Sequence, residues 1–270
     1  MRRASGFCAG ARLGRVKCYP AFMALMRTSN PALSRGAFGR TTTFGENAMT
    51  ISGTVNKTGV LLLLAFVSAC WVWARFNAAP APATVEPWML AGVLGGFVVA
   101  LVTVFKPVWA PFTAPAYAVL EGLALGGISA LVNVRYAGLP AEAVGVTFAV
   151  LLVMLAAYQS GVIRATARFQ MGVVAATGGV MLFYVGMWIL GFFGVQFTAL
   201  NGSGPIGIGF SLVVCAIAAL NLVLDFNLIE TSARQGAPRF MEWYGAFALL
   251  VTLVWLYIEI LRLLMKMRER

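Results

Sequence analysis

PIGIGFSLVVCAIAALNLVLDFNLIE (205–230) and MEWYGAFALLVTLVWLYIEILRLLM (241–265) are two long apolar runs flanking a short polar connection, and each carries carboxylates that hydrocarbon does not tolerate. Either run exceeds the roughly 20 residues that cross a hydrocarbon core of about 30 Å at 1.5 Å per residue, so both read as membrane-spanning helices. Asp225 lies inside the first among Ile, Val, Ala and Leu, and the second opens at Glu242 and reaches Glu259 before its basic end. A charged side chain near the bilayer centre costs about 2.5–3.5 kcal/mol on insertion scales, so such residues face a protein interior or water and mark a pathway or a proton site.

The rest of the chain agrees. Of its 270 residues 60% are hydrophobic and 11% charged, and the mean hydropathy is +0.86, far outside the range of soluble domains. Apolar runs of spanning length recur, so an all-α integral membrane bundle is expected rather than a barrel. The net charge of +11 is dispersed over an N-terminal arm, short loops and the C-terminal end. It lacks the basic face interleaved with aromatics that nucleic acid needs, which excludes that partner and leaves the charge as topology information. The absence of histidine removes the commonest general base and metal ligand. Cys8, Cys18, Cys70 and Cys215 show no metal spacing; Cys70 and Cys215 read as small buried apolar residues. With no serine or cysteine beside a base and no paired acid motif of the GxGD kind, neither an enzyme nor a cofactor is expected.

Residues 1–56 read as a basic, mostly disordered arm. YPAFMALM within it is at the short limit of a signal-peptide core and lacks a small-residue cleavage site after it, and Met26 is a plausible true start. Residues 57–265 form the membrane domain, with spans at Thr58–Phe76, Trp88–Phe105, Ala114–Val134, Ala143–Gly161, Met171–Gly194, Ile206–Ile229 and Glu242–Leu264. Residues 266–270 form a basic tail. APAPATVEP between the first two spans reads as a non-helical linker, and the glycines of GVLGG, EGLALGGIS and ATGGV as contacts for close helix packing. Lys106, Arg164 with Arg168, and Arg234 with Arg239 share one side with the arm, which puts the N-terminus in the cytoplasm. Arg262, Lys266, Arg268 and Arg270 then fall on the opposite side, at odds with the same rule, and seven spans are preferred over a count with one re-entrant segment.

Counted along these spans, Asp225 lies about 6 Å inside the cytoplasmic end of the sixth, Glu121 about 10 Å inside the third, and Glu242 at the mouth of the seventh. These three are expected to converge. Glu259 lies about 25 Å beyond Glu242 and pairs with Arg262 as a surface ion pair. Where Asp225 meets a second carboxyl, desolvation and like-charge repulsion disfavour two negative charges and the pair shares a proton. A cation such as Lys106 or Arg239 acts oppositely and holds Asp225 ionised. The bland alternatives are a hydrogen bond to Asn221 or Tyr117, and plain solvation for Glu230 and Glu242.

EGLALGGIS, NLVLDFNLIE and PRFMEWYGAFALLVTLVWLYIEILRLL resemble the third, sixth and seventh helices of the Bax-inhibitor/YccA family, the transmembrane Bax-inhibitor-motif proteins, over residues 26–265. The resemblance, to the bacterial branch, implies a seven-helix fold with the last helix central. It also implies residence in the bacterial inner membrane, a pH-sensitive Ca2+ leak, and a part in stress response through partner proteins, a membrane-bound protease among them. The family's acidic pair carries over at Asp225, whereas its second position falls on Thr252, with Glu242 or Glu121 as stand-ins. Lys106 is the nearest candidate for the family's cation, a charge latch.

Two functions are therefore expected in competition. One is a cation leak gated by protonation of Asp225, Glu121 and Glu242, with Ca2+ favoured because it takes clustered oxygen ligands. The other is a non-conducting regulator that binds a membrane protein through the arm.

Overall fold

The structure is a computed structural model that describes residues 48–193 and 202–269. In chain order its helices are α1 (Ile51–Ala78), α2 (Pro82–Phe105), α3 (Ala110–Arg135), α4 (Leu139–Gln159), α5 (Ala167–Phe192), α6 (Pro205–Arg234) and α7 (Met241–Arg268), with a 3-10 turn at Pro107–Trp109. All seven are long and apolar enough to cross a membrane, and no β-strand occurs among the described residues. The fold is an all-α seven-helix membrane bundle.

The helices begin where the local chemistry allows. Thr50 caps α1 by accepting from the Gly53 amide at 3.0 Å, and Thr166 caps α5 in the same way. Proline stands in the first positions of α2, α3, α4 and α6, where its missing N–H would be unpaired anyway. This chemistry corrects the expected linker: α2 starts at Pro82 and carries Pro87 inside it, so only residues 79–81 of APAPATVEP lie between helices. Residues 51–56, expected in the arm, are the first turns of α1. Most of the arm, with Met26, lies outside the described residues. The expected tail is also largely helix, since α7 runs to Arg268 and Lys266 is buried.

α7 is the central helix. Of its apolar window 61% is buried, against 11–44% for the other six, because it packs on α1, α3, α4 and α6. α2 and α5 are outer helices, leaning on α3 and α6 respectively. Between α1 and α3 the backbones nearly touch: a Cβ on Gly126 would stand 2.6 Å from the Ala69 carbonyl oxygen, and one on Gly122 would fall onto the Ser68 hydroxyl. Gly92 plays the same part on α2, 2.5 Å from the Leu120 carbonyl oxygen. The ATGGV glycines, Gly178 and Gly179, do not, since their faces on α5 meet no neighbouring atom within 4 Å. Cys70 is likewise exposed on α1 rather than buried, whereas Cys215 is buried.

The cations of the α7 C-terminal end are taken up by the protein itself. Arg262 pairs with Glu259 at 3.0 Å and Arg268 with Glu142 at 3.1 Å, and Lys266 donates to the Gly207 carbonyl and the Ser211 hydroxyl. Tyr136, at the end of α3, donates to Glu269 at 2.7 Å. That carboxylate pushes the Tyr136 hydroxyl above its ordinary pKa.

Candidate functional site

Asp225 lies nine residues before the end of α6 at Arg234, about 13 Å along the axis. It is thus deeper than the sequence count placed it, because α6 continues past Ile229. Its side chain lies on the α7 side of the helix, near the Thr252 hydroxyl. Thr252 is itself 8% exposed, and Asp225 beside it is half-buried. The carboxyl oxygen Oδ2 is buried without a hydrogen-bond partner. Asn221 does not supply one: its amide donates to Thr177 on α5 and to the Ile217 carbonyl of its own helix.

The other expected members of the cluster sit elsewhere. Glu242, 3% exposed, forms an ion pair with Lys57 and accepts from both the Thr50 amide at 2.8 Å and the Thr50 hydroxyl at 2.9 Å. It stands in the first turn of α7 and against the N-cap of α1, so one carboxylate neutralises the positive ends of two helices. This is a clamp between α1 and α7. It corrects both the solvated and the Asp225-linked readings of Glu242. Glu121 is half-buried and faces α2: its carboxylate lies near the Tyr117 hydroxyl one turn earlier and 3.1 Å from where a Cβ on Gly96 would be. Tyr117 in turn stacks edge-on against Phe247 of α7, ring centres 5.0 Å apart.

Lys106 is not a latch for any of these acids. It is exposed at the end of α2 with its ammonium 4.5 Å from the Trp109 ring centre, because the turn at Pro107 folds it back over that ring. A cation that does meet an acid is Lys57, half-buried beside Glu242, with its ammonium also 5.4 Å from the Trp243 ring. A lysine in the first turns of an apolar run is a signal that a carboxylate waits nearby, and TVNKTGVLL carries it.

Glu259 overturns the expected surface pair. It is 2% exposed and fully enclosed. Its Oε1 accepts from Arg262 and from the Tyr184 hydroxyl of α5, each at 3.0 Å, and Arg262 also donates to that hydroxyl at 2.8 Å. α5 supplies the cover, which periodicity in α7 alone does not reveal. Glu230, expected to be solvated, accepts from Tyr158 and pairs with Arg234 at 2.5 Å. Among the described residues no three acids or cysteines converge to hold a metal ion.

The structure therefore brings together Asp225 and Thr252, the two positions that the resemblance pairs, and separates them from Glu121, Glu242 and Lys106. The family model described as Bax inhibitor 1 like matches residues 30–269. The chain belongs to the Bax inhibitor 1 like family. No curated protein and no solved structure matches it. In this Bax inhibitor 1 like protein, among the described residues, the α6–α7 pair holds the buried carboxyl oxygen that lacks a partner.

Proposed function

We propose that this protein is a proton-regulated cation leak in which a single carboxyl, Asp225, sets the packing of α6 on α7. The observation that carries this reading is the buried Oδ2 atom of Asp225 without a hydrogen-bond partner, opposite Thr252 on the central helix. Native proteins satisfy almost all such atoms. A neutral carboxyl fits a dry interface beside a hydroxyl, whereas an anion there needs water or a cation to offset its desolvation. Loss of the proton thus draws hydrated cations toward α6 and α7 and loosens the seam, and regain of the proton closes it.

Ca2+ is the favoured ion because the seam offers oxygen atoms alone, a carboxylate and a hydroxyl, and hard divalent cations take oxygen ligands. Glu121 and Glu242 remain outside the gate, the first as a second intramembrane acid on the α2 side and the second as a clamp. The protein performs no covalent chemistry in this reading and holds no cofactor. In this reading the setting is a bacterial inner membrane, as the resemblance implies, with the arm in the cytoplasm, the side that the basic loops favour. Liposomes loaded with a calcium dye and carrying the purified protein test the leak. The dye signal changes with outside pH if the reading holds, and absence of flux at every pH removes it.

One observation favours the alternative of a regulator. The Met49 amide donates to the Ala237 carbonyl at 2.7 Å, and Ala48 bridges Pro238, so the arm is fastened to the turn between α6 and α7. A membrane-bound protease gripping the arm would pull on that turn. Deleting residues 1–47 then abolishes the effect on the protease while the bundle stays folded, and an unchanged effect ends this version.

A further inference from the structure

α1 and α4 stand apart around α7, and the space between them is a groove of about 360 Å³ floored by α3 and α7. Nothing in the leak uses it. Its floor is a buried face of α7 with Leu250, Leu253 and Tyr257. Its rim carries Phe66 on α1 and Phe148 on α4, 62% and 44% exposed. The groove thus opens sideways, along helices of spanning length, into hydrocarbon.

Its hydroxyls are already engaged. The Ser129 and Tyr257 hydroxyl oxygens lie 2.7 Å apart, and the Thr147 hydroxyl donates to the Ala143 carbonyl of its own helix at 2.7 Å. A wall of this kind gives water or a headgroup little to bond, and desolvating a polar occupant there is costly. Left empty, it would lose dispersion contacts along its whole lining. One turn of a partner helix, about 10 Å across with its side chains and 5.4 Å long, fills roughly 400 Å³, more than the groove of about 360 Å³ holds. At roughly 30 Å³ per water-sized unit the space holds about twelve such units, the bulk of one acyl-chain segment.

We propose that the groove is a binding site for one acyl chain of a membrane phospholipid, seated against α7. The chain would contact the face of α7 roughly 150° around the helix from Thr252. It would support the central helix on the side away from Asp225. The inference rests on the groove alone and holds whether or not the protein conducts.

The test uses the full chain in nanodiscs of phosphatidylcholine with a diazirine midway along one acyl chain, irradiated and mapped by peptide mass spectrometry. Adducts should concentrate on groove residues such as Cys70, Trp73 and Leu125, several-fold above those on the outer face of α5 at Leu182 and Val185, which are 75% and 52% exposed. Labelling that simply follows exposure on both faces would mean annular lipid only and would overturn the proposal. Val144→Trp, from a rim position 37% exposed, should cut groove adducts several-fold and leave α5 labelling unchanged; equal groove labelling in this variant also overturns it. Groove labelling that appears only with a free photoactivatable fatty acid, and not with the phospholipid, refutes the assigned source.

Discussion

Removing the Glu242 carboxylate should unfasten α1 from α7. Glu242→Ala deletes an ion pair whose side chains are 4% and 16% exposed, together with two hydrogen bonds from Thr50 at 2.8 and 2.9 Å. Hydrogen bonds to a charged acceptor contribute about 1.5–3 kcal/mol each, and breaking a buried pair costs about 3–5 kcal/mol in all, since the partner is left without its counter-ion. Lys57 keeps the Trp243 ring 5.4 Å away and a flexible stem, so the low end of that range, about 3 kcal/mol, is expected. Glu242→Gln retains an acceptor for Thr50 and should lose less, about 1–2 kcal/mol. With Lys57→Met as the second arm, a double-mutant cycle in a denaturant titration of detergent-solubilised protein should give a coupling of about 1–3 kcal/mol. Glu242→Ala within about 0.5 kcal/mol of wild type, the range of ordinary surface changes, would refute the clamp. So would a Glu242→Gln variant that loses the pH response of the leak, because the clamp carries no part of the gate.

Other perturbations have equally definite outcomes. Gly122→Ala drives a Cβ onto the Ser68 hydroxyl and to 2.9 Å from the Ala65 carbonyl carbon and should cost about 1–3 kcal/mol by overpacking, whereas Gly179→Ala, with open space beside it, should be neutral or up to about 1 kcal/mol stabilising through helix propensity; thermal unfolding in detergent compares them. Tyr184→Phe removes the hydroxyl shared by Glu259 and Arg262 and should destabilise by about 0.5–1.5 kcal/mol, read in the same unfolding experiment. Thr252→Asp places a second carboxyl opposite Asp225. The single pH step of the leak should split into two, because interacting acids titrate as a pair; an unchanged one-step flux profile would show that the two positions do not meet.

The seven spans were legible because hydrocarbon imposes a minimum apolar length that no other context demands. Their ends were not, since Thr50 becomes a helix start through a carboxylate 192 residues away and α6 runs past Ile229 on residues that look like a loop. Central placement of α7 came from resemblance, not from periodicity: a helix buried on nearly all sides has no polar stripe to read. Asp225 was recognisable as a charge inside an apolar run, and Thr252 entered only as the position that the resemblance pairs with it. The convergence with Glu121 and Glu242 failed because depth along a helix says nothing about which face a side chain occupies. Lys106 and Arg239 were the cations the sequence suggested; that Lys57 meets an acid instead depends on α1, and not α2, lying beside α7. Glu259 looked like a surface residue beside Arg262 until α5 closed over it with Tyr184.

The decisive measurement is Ca2+ dye flux from proteoliposomes as a function of pH, wild type beside Asp225→Asn, with both proteins shown to be folded by the same unfolding profile. Flux in the wild type should rise with pH as Asp225 loses its proton, and the asparagine variant should stay flat at the level of the acidic wild type. An Asp225→Asn protein that keeps the wild-type step would place the proton switch elsewhere in the bundle.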